Sequence, residues 1–405
     1  MLVPSPSPPA PSPPAHPDDR RIRWQIPLVL ALGAALAWGA SRLLAKRPDL
    51  AEAWAAGPGP GLSRPLSLLT GLVPFAIGEL LLFAWVAWLL AGLVRTMHRV
   101  FTRRRRWRNA LAGGIVRAVH HAASIIIAFY LLWGLNYARP SLESRIGWAD
   151  WSGVETGELT ALTEQAIDWT NRSYEELHGS TDARSPTPMP ADWGRVERSM
   201  DEGWTATADR LGLPASEGQR YGRIKRPIAS WIIARFGIVG MYFPFTAEAN
   251  VVQGLPAVRL VTAAAHEKAH QRGIANEAEA TFLGYLAAAV ATDPLSRYAA
   301  AFSAQSELAS ALAGADLDAW QRLAGQRDPG VVRDLRDLAV YYARYAGPAN
   351  DVGRAVNDKY LRANRVPGGV LNYGRSVRLL IAFARHNGGR LSPAGPSIVT
   401  MRANR

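Results

Sequence analysis

The sequence predicts a membrane-anchored protein in which three N-terminal transmembrane helices precede a mainly α-helical (α+β) domain with one small sheet. Long apolar stretches occur at about residues 26–44, 73–94 and 112–137. Hydrophobic residues make up 48% of the 405 residues, and 14 of the residues are Trp, which favours a membrane protein. From residue 141 to residue 405 the composition becomes that of a water-soluble domain.

Basic residues are concentrated in the N-terminal third of the chain. Residues 1–140 contain 16 Lys and Arg against 5 Asp and Glu, whereas residues 141–405 contain 30 against 28. A nucleic-acid-binding domain would carry its basic excess on the globular part, so we expect no nucleic-acid partner. Basic residues beside apolar stretches instead indicate the ends of membrane spans, and we expect the lipid bilayer as the partner of this region.

Residues 1–22 are rich in Pro, Ser and Ala and predict a disordered cytoplasmic tail. The first apolar stretch follows three Arg and contains no charge from Ile26 to Ala40. A cleaved signal peptide is the alternative, but no small-residue cleavage site follows the stretch. We interpret it as the first of three spans in a transmembrane region over residues 23–140, with a Gly/Pro-rich connector from Gly57 before the second span.

The loop between the second and third spans sets the predicted orientation. Seven Arg lie between Arg95 and Arg108, and short cytoplasmic loops are enriched in Arg and Lys. With this loop inside the cell, the N-terminus is also cytoplasmic and the domain after residue 140 is extracytoplasmic. Trp133 and Tyr137 then suit the aromatic belt at the outer face of the cell membrane.

The C-terminal domain is expected to be mainly helical. Helical periodicity predicts helices over residues 154–178 and 193–211, and most of the chain after residue 290 has the same character. Residues 228–252 are rich in β-branched and aromatic residues and are interrupted by two Gly. This pattern predicts a pair of strands joined by a turn.

The stretch from Val261 to Leu286 carries the strongest sign of chemistry. His266 and His270 lie four residues apart on an expected helix, so both imidazoles fall on one face, where they can bind one metal ion. Glu267 completes the pattern HExxH, in which the Glu activates a water molecule. The alternative is a solvated helix face with two incidental His. No Cys occurs in the chain, which excludes thiolate ligands, disulfides and Cys nucleophiles.

Two carboxylates are candidates for the third metal ligand. Gly273 can end the first helix in a left-handed turn, and Asn276 is a suitable N-cap for a second helix. Glu279, three residues later, fits a capping box, which leaves Glu277 free to reach the metal. Two His and one Glu are a known ligand set of catalytic zinc. We therefore expect one Zn²⁺ held by the two His and Glu277, with Glu279 as the alternative ligand.

Four segments together resemble a known family of bacterial membrane proteins. They are WGLNYARP (133–140), GMYFPFTAEAN (240–250), AHEKAHQRGIANEAEATF (265–282) and NDKYLRAN (357–364). From its second or third span almost to its C-terminus, the chain is similar to the domain-of-unknown-function family 3810. Members are similar to zincin-type metallopeptidases, so the resemblance implies a zincin-like (gluzincin-like) domain. They usually carry Asn after the ExEA element, where this chain has Thr281.

The zincin resemblance also implies where a peptide substrate would bind. Such peptidases place an edge strand just before the HExxH helix, and the substrate pairs with that edge. Residues 241–247 are the candidate edge, with Tyr242 and Phe243 as substrate contacts, and the alternative assigns these aromatic residues to the core. Glu248 and Asn250 are candidates for orienting the substrate or for stabilising a turn.

The expected function is peptide-bond hydrolysis by a membrane-bound zinc metallopeptidase, with Glu267 as the general base. An oxyanion donor is also needed, and Tyr373 and Arg375 are candidates, with structural roles as the alternative. Two other classes of protein remain open. One is a membrane-anchored scaffold or interaction protein that binds metal without catalysis, which a fourth protein ligand would favour. The other is part of a transporter or channel, which three spans with few polar residues argue against.

Overall fold

The computed structural model describes residues 24–103, 106–148, 153–179, 185–364 and 374–393. The expected disordered tail over residues 1–22 lies outside these described residues. Where it is described, the chain is mostly helical and contains one two-stranded sheet, as the sequence predicts.

In chain order, the helices and strands are α1 (Gln25–Leu44), α2 (Pro48–Ala56), α3 (Pro58–Thr70), α4 (Ile77–Phe101), α5 (Trp107–Leu132), a 3-10 helix (Gly134–Ala138), α6 (Leu142–Ile146), α7 (Thr156–His178), α8 (Trp193–Leu211), α9 (Ala215–Gly218), α10 (Ser230–Arg235), β1 (Gly240–Phe243), β2 (Glu248–Val251), α11 (Ala257–Gln271), α12 (Glu277–Ala289), α13 (Pro294–Ala315), α14 (Leu317–Ala324), α15 (Pro329–Arg344), α16 (Pro348–Ala363) and α17 (Gly374–His386).

The chain divides into two compact units, and the first contains the chain up to Leu36 together with Ala84–Ile127. Most of α1, α4 and α5 lies in this unit, and these three helices are long and apolar enough to cross a membrane. Their large apolar side chains are mostly exposed, which indicates association with a membrane. Within the unit, the rings of Trp88 on α4 and His121 on α5 are in contact, with centroids 5.3 Å apart.

The second unit contains Ala37–Phe83 and the chain from Ala128 onward. Its first part includes the Gly/Pro-rich connector, which is helical rather than extended: α2 and α3 each begin with Pro at the first helical position, where the fixed φ of Pro favours helix. The end of α3 packs into the domain, because the ammonium group of Lys225 donates to the carbonyl of Thr70 at 2.7 Å. The connector is therefore part of the folded domain.

The core of the second unit is built around α12. This helix packs against α11, α8, α13 and α17, and α13 packs along α7. A helix surrounded in this way is apolar on all sides, and in α12 all residues except Glu277 and Thr281 are buried. These two partly exposed positions face a large cleft.

The sheet forms next to the HExxH helix, as predicted, but it is shorter than the sequence suggested. β1 and β2 are antiparallel, with Gly240 opposite Val251 and Phe243 opposite Glu248. The expectation of a strand from residue 228 is wrong, because residues 230–235 form the helix α10. The carboxylate of Glu79 accepts the amide hydrogens of residues 228 and 229, at 2.7 and 2.6 Å, and so fixes the segment that leads into that helix.

Candidate metal centre

The HExxH motif lies on α11, which ends where the sequence predicts. Gly273 follows the helix with a φ of +80°, a left-handed conformation that Gly adopts without strain. Asn276 then begins α12: its side-chain oxygen accepts the amides of Ala278 and Glu279 at 3.0 and 3.2 Å. This is the expected N-cap. The tight connection places the first turn of α12 beside the end of α11.

His266, His270 and Glu277 lie together at this junction. His266 Nε2 is 3.1 Å from Glu277 Oε2, and His270 Nε2 is 3.7 Å from the same oxygen. One ligand atom from each residue lies within 4.8 Å of the other two. Among the described residues, no other group of three or more His, Asp and Glu offers ligand atoms this close together.

Hydrogen bonds on the far side of each imidazole fix its orientation. His270 Nδ1 donates to the carbonyl of Ile274 at 2.7 Å, and His266 Nδ1 lies 3.1 Å from Thr281 Oγ1. The ring of Trp133 packs edge-on against His270, with centroids 5.5 Å apart. Such contacts direct both Nε2 atoms towards Glu277. Thr281 thus contacts a candidate ligand.

Glu277 and the two imidazoles perturb one another electrostatically. Burial opposes the charged form of each group, but the facing charge and hydrogen bonds of His270 and His266 hold the pKa of Glu277 well below its usual range. Burial also opposes protonation of His270, yet the charge of Glu277 outweighs it and raises the pKa of His270 to about 9. At His266 burial dominates and lowers the pKa.

Glu267 is buried and incompletely hydrogen-bonded. Its Oε2 has no hydrogen-bond partner among the described residues, and burial raises the pKa of the carboxyl group to about 8. Gly240, the first residue of β1, lies so close to Oε1 that a side chain at this position would collide with it. A carboxylate that is buried, unpaired and next to a ligand cluster has the environment of a functional acid or base.

A cavity of about 950 Å³ adjoins the cluster and forms a cleft in the second unit. His266, Glu267, His270 and Glu277 all line it. The remaining walls are largely aromatic and aliphatic; they include Phe129, Trp133, Tyr137, Tyr242, Phe243, Phe302 and Tyr360. A mostly apolar cleft with a few convergent polar groups is typical of a ligand-binding site.

Strand β1 forms one wall of this cleft. All of Gly240–Phe243 line it, and the predicted substrate contacts Tyr242 and Phe243 are among these residues. β2 pairs with one side of β1, and no strand among the described residues pairs with the other side. β1 therefore presents a free edge, of the kind to which an extended peptide can add.

Glu279, the alternative third ligand, lies away from the two His. Its Oε1 accepts the amide of Leu142 at 2.9 Å, and its Oε2 accepts from Arg145 at 3.3 Å. Arg145 also contacts Glu217, at 3.3 Å. The two carboxylates that follow Asn276 thus point to different partners: one to the His cluster and one to a buried Arg.

The same buried Arg cluster extends to the segment after α5. Arg139 lies 2.6 Å from Glu217 and 2.8 Å from Glu52 of α2. Glu217 is fully buried, and both Arg139 and Arg145 contact its Oε1. We call these five residues (Glu52, Arg139, Arg145, Glu217 and Glu279) the arginine cluster.

Glu248 and Asn250 do not line the cleft. The carboxylate of Glu248 accepts the amides of Ile77 and Gly78 at 3.0 and 2.7 Å, so it caps the first turn of α4. The side-chain amide of Asn250 donates to the carbonyl of Met241 across the sheet at 3.2 Å. Glu248 thus holds the start of α4, and Asn250 joins the two strands.

Of the two candidate oxyanion donors, only Arg375 belongs to the part of the chain that the structure describes. Arg375 pairs with Glu143, with an Nε–Oε1 distance of 3.1 Å, and does not line the cleft. Its role in the structure is therefore an ion pair beside α6. Tyr373 lies outside the described residues.

Several cleft residues were not singled out from the sequence. Tyr137 donates a hydrogen bond from its hydroxyl group to that of Tyr360 at 3.0 Å. At another part of the wall, Arg259 donates to the Tyr342 hydroxyl at 2.9 Å, and Glu307 accepts from Ser376 at 2.5 Å. The first pair had a signal in the sequence, because WGLNYARP contains Tyr137 and NDKYLRAN contains Tyr360. No sequence motif pointed to the contacts of Arg259 with Tyr342 or of Glu307 with Ser376.

Comparison with protein families matches residues 57–381 to the family described as "Protein of unknown function (DUF3810)". The chain belongs to this family. The DUF3810 match begins in the connector between α2 and α3, includes α4 and α5, and covers the candidate metal centre. Among curated proteins and among solved structures, none matches the chain significantly.

Proposed function

We propose that this DUF3810 protein is a membrane-anchored, zinc-dependent peptidase of the zincin type. The observation that supports it most is the convergence of two imidazoles and one carboxylate beside a buried, unpaired Glu267. Nitrogen and carboxylate ligands without thiolates suit Zn²⁺. No fourth His, Asp or Glu of the described residues joins the cluster, which favours a catalytic site over a closed structural one.

His266, His270 and Glu277 would hold the metal through the atoms that now face one another. Zn²⁺ bound there would polarise a peptide carbonyl, make a water molecule more acidic and lower the pKa of the neighbouring Glu267 carboxyl. Glu267 would take a proton from the attacking water and return it to the leaving amide nitrogen. In the cleft, the Tyr360 hydroxyl accepts from Tyr137 and would donate its own proton to the developing negative charge on the carbonyl oxygen.

The free edge of β1 would align the substrate. A peptide that added to Gly240–Phe243 as an extra strand would lie along the cleft wall that contains Glu267. Its side chains would alternate between the wall and the aromatic residues of the cleft. This arrangement favours a peptide or protein substrate over a small polar molecule.

The basic loop at residues 95–108 supports the proposed topology. With that loop in the cytoplasm, the N-terminus is cytoplasmic and the second unit is extracytoplasmic, as part of a multi-pass protein of the cell membrane.

Metal analysis and hydrolysis of a peptide library by the purified full-length protein test the proposed function. We expect about one zinc per chain, cleavage that stops with a chelator and returns with Zn²⁺, and a Glu267→Gln variant that binds zinc without cleaving. Zinc binding with no cleavage of any peptide would support the alternative of a metal-binding scaffold. Absence of metal binding would overturn both.

A further inference from the structure

An exposed apolar surface surrounds part of the mouth of the cleft in the second unit. We call it the apolar rim; its members are Ile228, Trp231, Ile232, Phe236, Val352, Val356 and Tyr360. Large apolar side chains in water are costly when they are contiguous, and these are well exposed: 61% for Trp231 and 62% for Val356.

The two halves of the rim are continuous. The first half belongs to α10 and its flanking residues, and the second to α16. The backbone of Gly353 on α16 lies directly against the carbonyl of Phe236, and Asn350 lies against Gly237. Phe236, Val352, Val356 and Tyr360 also line the cleft. The rim therefore borders the opening through which a substrate would enter.

Both ends of the rim are attached to ends of candidate membrane spans. At one end, Glu79 in the first turn of α4 accepts the amides of Ile228 and Ala229. At the other end, the ring of Tyr360 lies 6.5 Å from that of Phe129 in the last turn of α5. Because α4 and α5 are consecutive spans, the start of one and the end of the other emerge on the same face of a membrane.

The charge around the rim also suits a lipid surface. Arg226 and Arg235 are exposed and lie within two residues of rim members along the chain. Arg226 lies over the ring of Trp193, 5.5 Å from its centroid. Basic residues next to exposed Trp and Ile are typical of segments that lie in the headgroup layer of a membrane containing anionic lipids.

We propose that the apolar rim lies in the phospholipid headgroup layer of the membrane that α4 and α5 cross, so that the cleft opens at the lipid surface. If the proposed peptidase function holds, on which this further step rests, the substrates are membrane-tethered polypeptides cut close to their point of attachment. A segment that leaves the bilayer enters the cleft directly, whereas a peptide free in solution must first reach the membrane surface.

The absence of Cys from the chain permits a direct test of the lipid contact. Trp231→Cys and Val356→Cys are each labelled with a fluorescent probe in the full-length protein, reconstituted in nanodiscs with anionic lipid. Leu317→Cys is the matched control, because Leu317 is 54% exposed but lies between two Asp residues. We expect a quencher attached to lipid to act at least threefold more strongly on the rim probes than on the control, and aqueous iodide to show the reverse. Equal quenching at the three positions would overturn the lipid contact, whatever the enzymatic activity.

A second measurement tests the substrate class. One peptide sequence is presented either free or attached through a lipid anchor to the nanodisc, and cleavage is compared with that by Glu267→Gln. We expect the tethered form to be cleaved at least tenfold faster. Equal rates would overturn the substrate class while leaving the peptidase function intact. Cleavage of neither form would overturn the peptidase function and the substrate class, and the quenching result would still decide the lipid contact.

Discussion

The two sides of helix α11 hold buried charges in opposite ways. On the side away from the cleft, Lys268 and Arg272 both contact Asp201 Oδ1, at 3.0 and 3.1 Å. Burial opposes the charge on Asp201, but the two cations outweigh it and lower the pKa of the carboxyl group. On the cleft side, Glu267 is equally buried, and its Oε2 has no partner among the described residues.

The comparison separates structural from functional charge within one helix. A buried charge is tolerable when opposite charges and hydrogen bonds compensate it, and it is destabilising when they do not. Asp201 is compensated by Lys268 and Arg272, so these ion pairs serve to hold α11 against α8. Glu267 on the cleft side is not compensated in this way. An uncompensated carboxylate beside a ligand cluster is what catalysis by Glu267 requires.

The largest expected effect comes from Glu267→Gln. Removing the proton acceptor should reduce peptide hydrolysis roughly 10²–10⁴-fold. The thermal unfolding temperature should stay the same or rise, because the substitution removes a buried carboxyl group whose pKa is raised to about 8. Turnover and thermal unfolding are measured on one preparation, with zinc content as the control for site integrity. Full activity with zinc bound would contradict the role of Glu267.

The same change of carboxylate to amide on the other side of α11 should affect stability. In Asp201→Asn, Lys268 and Arg272 lose the carboxylate that both contact, and among the described residues only Lys268 keeps another, Glu197 at 3.2 Å. We expect a loss of roughly 3 kcal/mol in unfolding free energy. Chemical denaturation measures it, with Glu267→Gln as the matched control. If the two variants unfolded at the same denaturant concentration, the distinction between the two sides would fail.

A smaller effect is expected at Thr281. Thr281→Val removes the hydroxyl group beside His266 Nδ1 at almost constant volume, and loss of such a contact typically weakens metal binding roughly 10–100-fold. Thr281→Ser keeps the hydroxyl and should bind zinc like the wild type. Competition with a coloured chelator gives the affinities. Equal affinity of the Val and Ser variants would show that the hydroxyl group does not orient the imidazole.

A further expected effect, about tenfold per pH unit, is a dependence of metal affinity on pH. His270 must lose its proton to act as a ligand, and in the metal-free protein its pKa is raised to about 9. Near neutral pH, Glu267 is also protonated before the metal binds, so affinity should rise at least about tenfold per pH unit, with between about one and two protons released per metal ion bound. Calorimetry in buffers of different ionisation enthalpy measures the released protons. An affinity independent of pH near neutrality would contradict the raised pKa.

The proximity of His266, His270 and Glu277 could be predicted from the sequence because it depends on local rules. His266, His270 and Glu277 lie within 12 residues, and their positions follow from helical spacing, a Gly turn and an Asn cap. Each rule acts over less than two turns of helix. The contact of Thr281 with His266 needs the crossing of two helices as well, and no local rule provides that.

Residues whose partners are distant in sequence were harder to place. Trp133 was expected at the membrane surface but is 5% exposed and packs on His270. An aromatic residue at the end of a span suits lipid and protein equally, so its sequence position does not distinguish the two environments. Glu248 was a candidate substrate contact, yet it caps a helix that begins about 170 residues earlier. Residues 228–235 have strand-like composition, but Glu79 binds the amides of residues 228 and 229, directly before a helix.

The arginine cluster has a practical consequence for recombinant work on the domain. A soluble fragment that started at residue 141, where the composition changes, would lack Glu52 and Arg139 and would leave the buried Glu217 with Arg145 alone. It would also lack Trp133 and Tyr137 from the cleft wall. Deleting the hydrophobic N-terminal third to gain solubility would therefore remove part of the domain's own interior, so biochemical work calls for the intact chain in detergent or lipid.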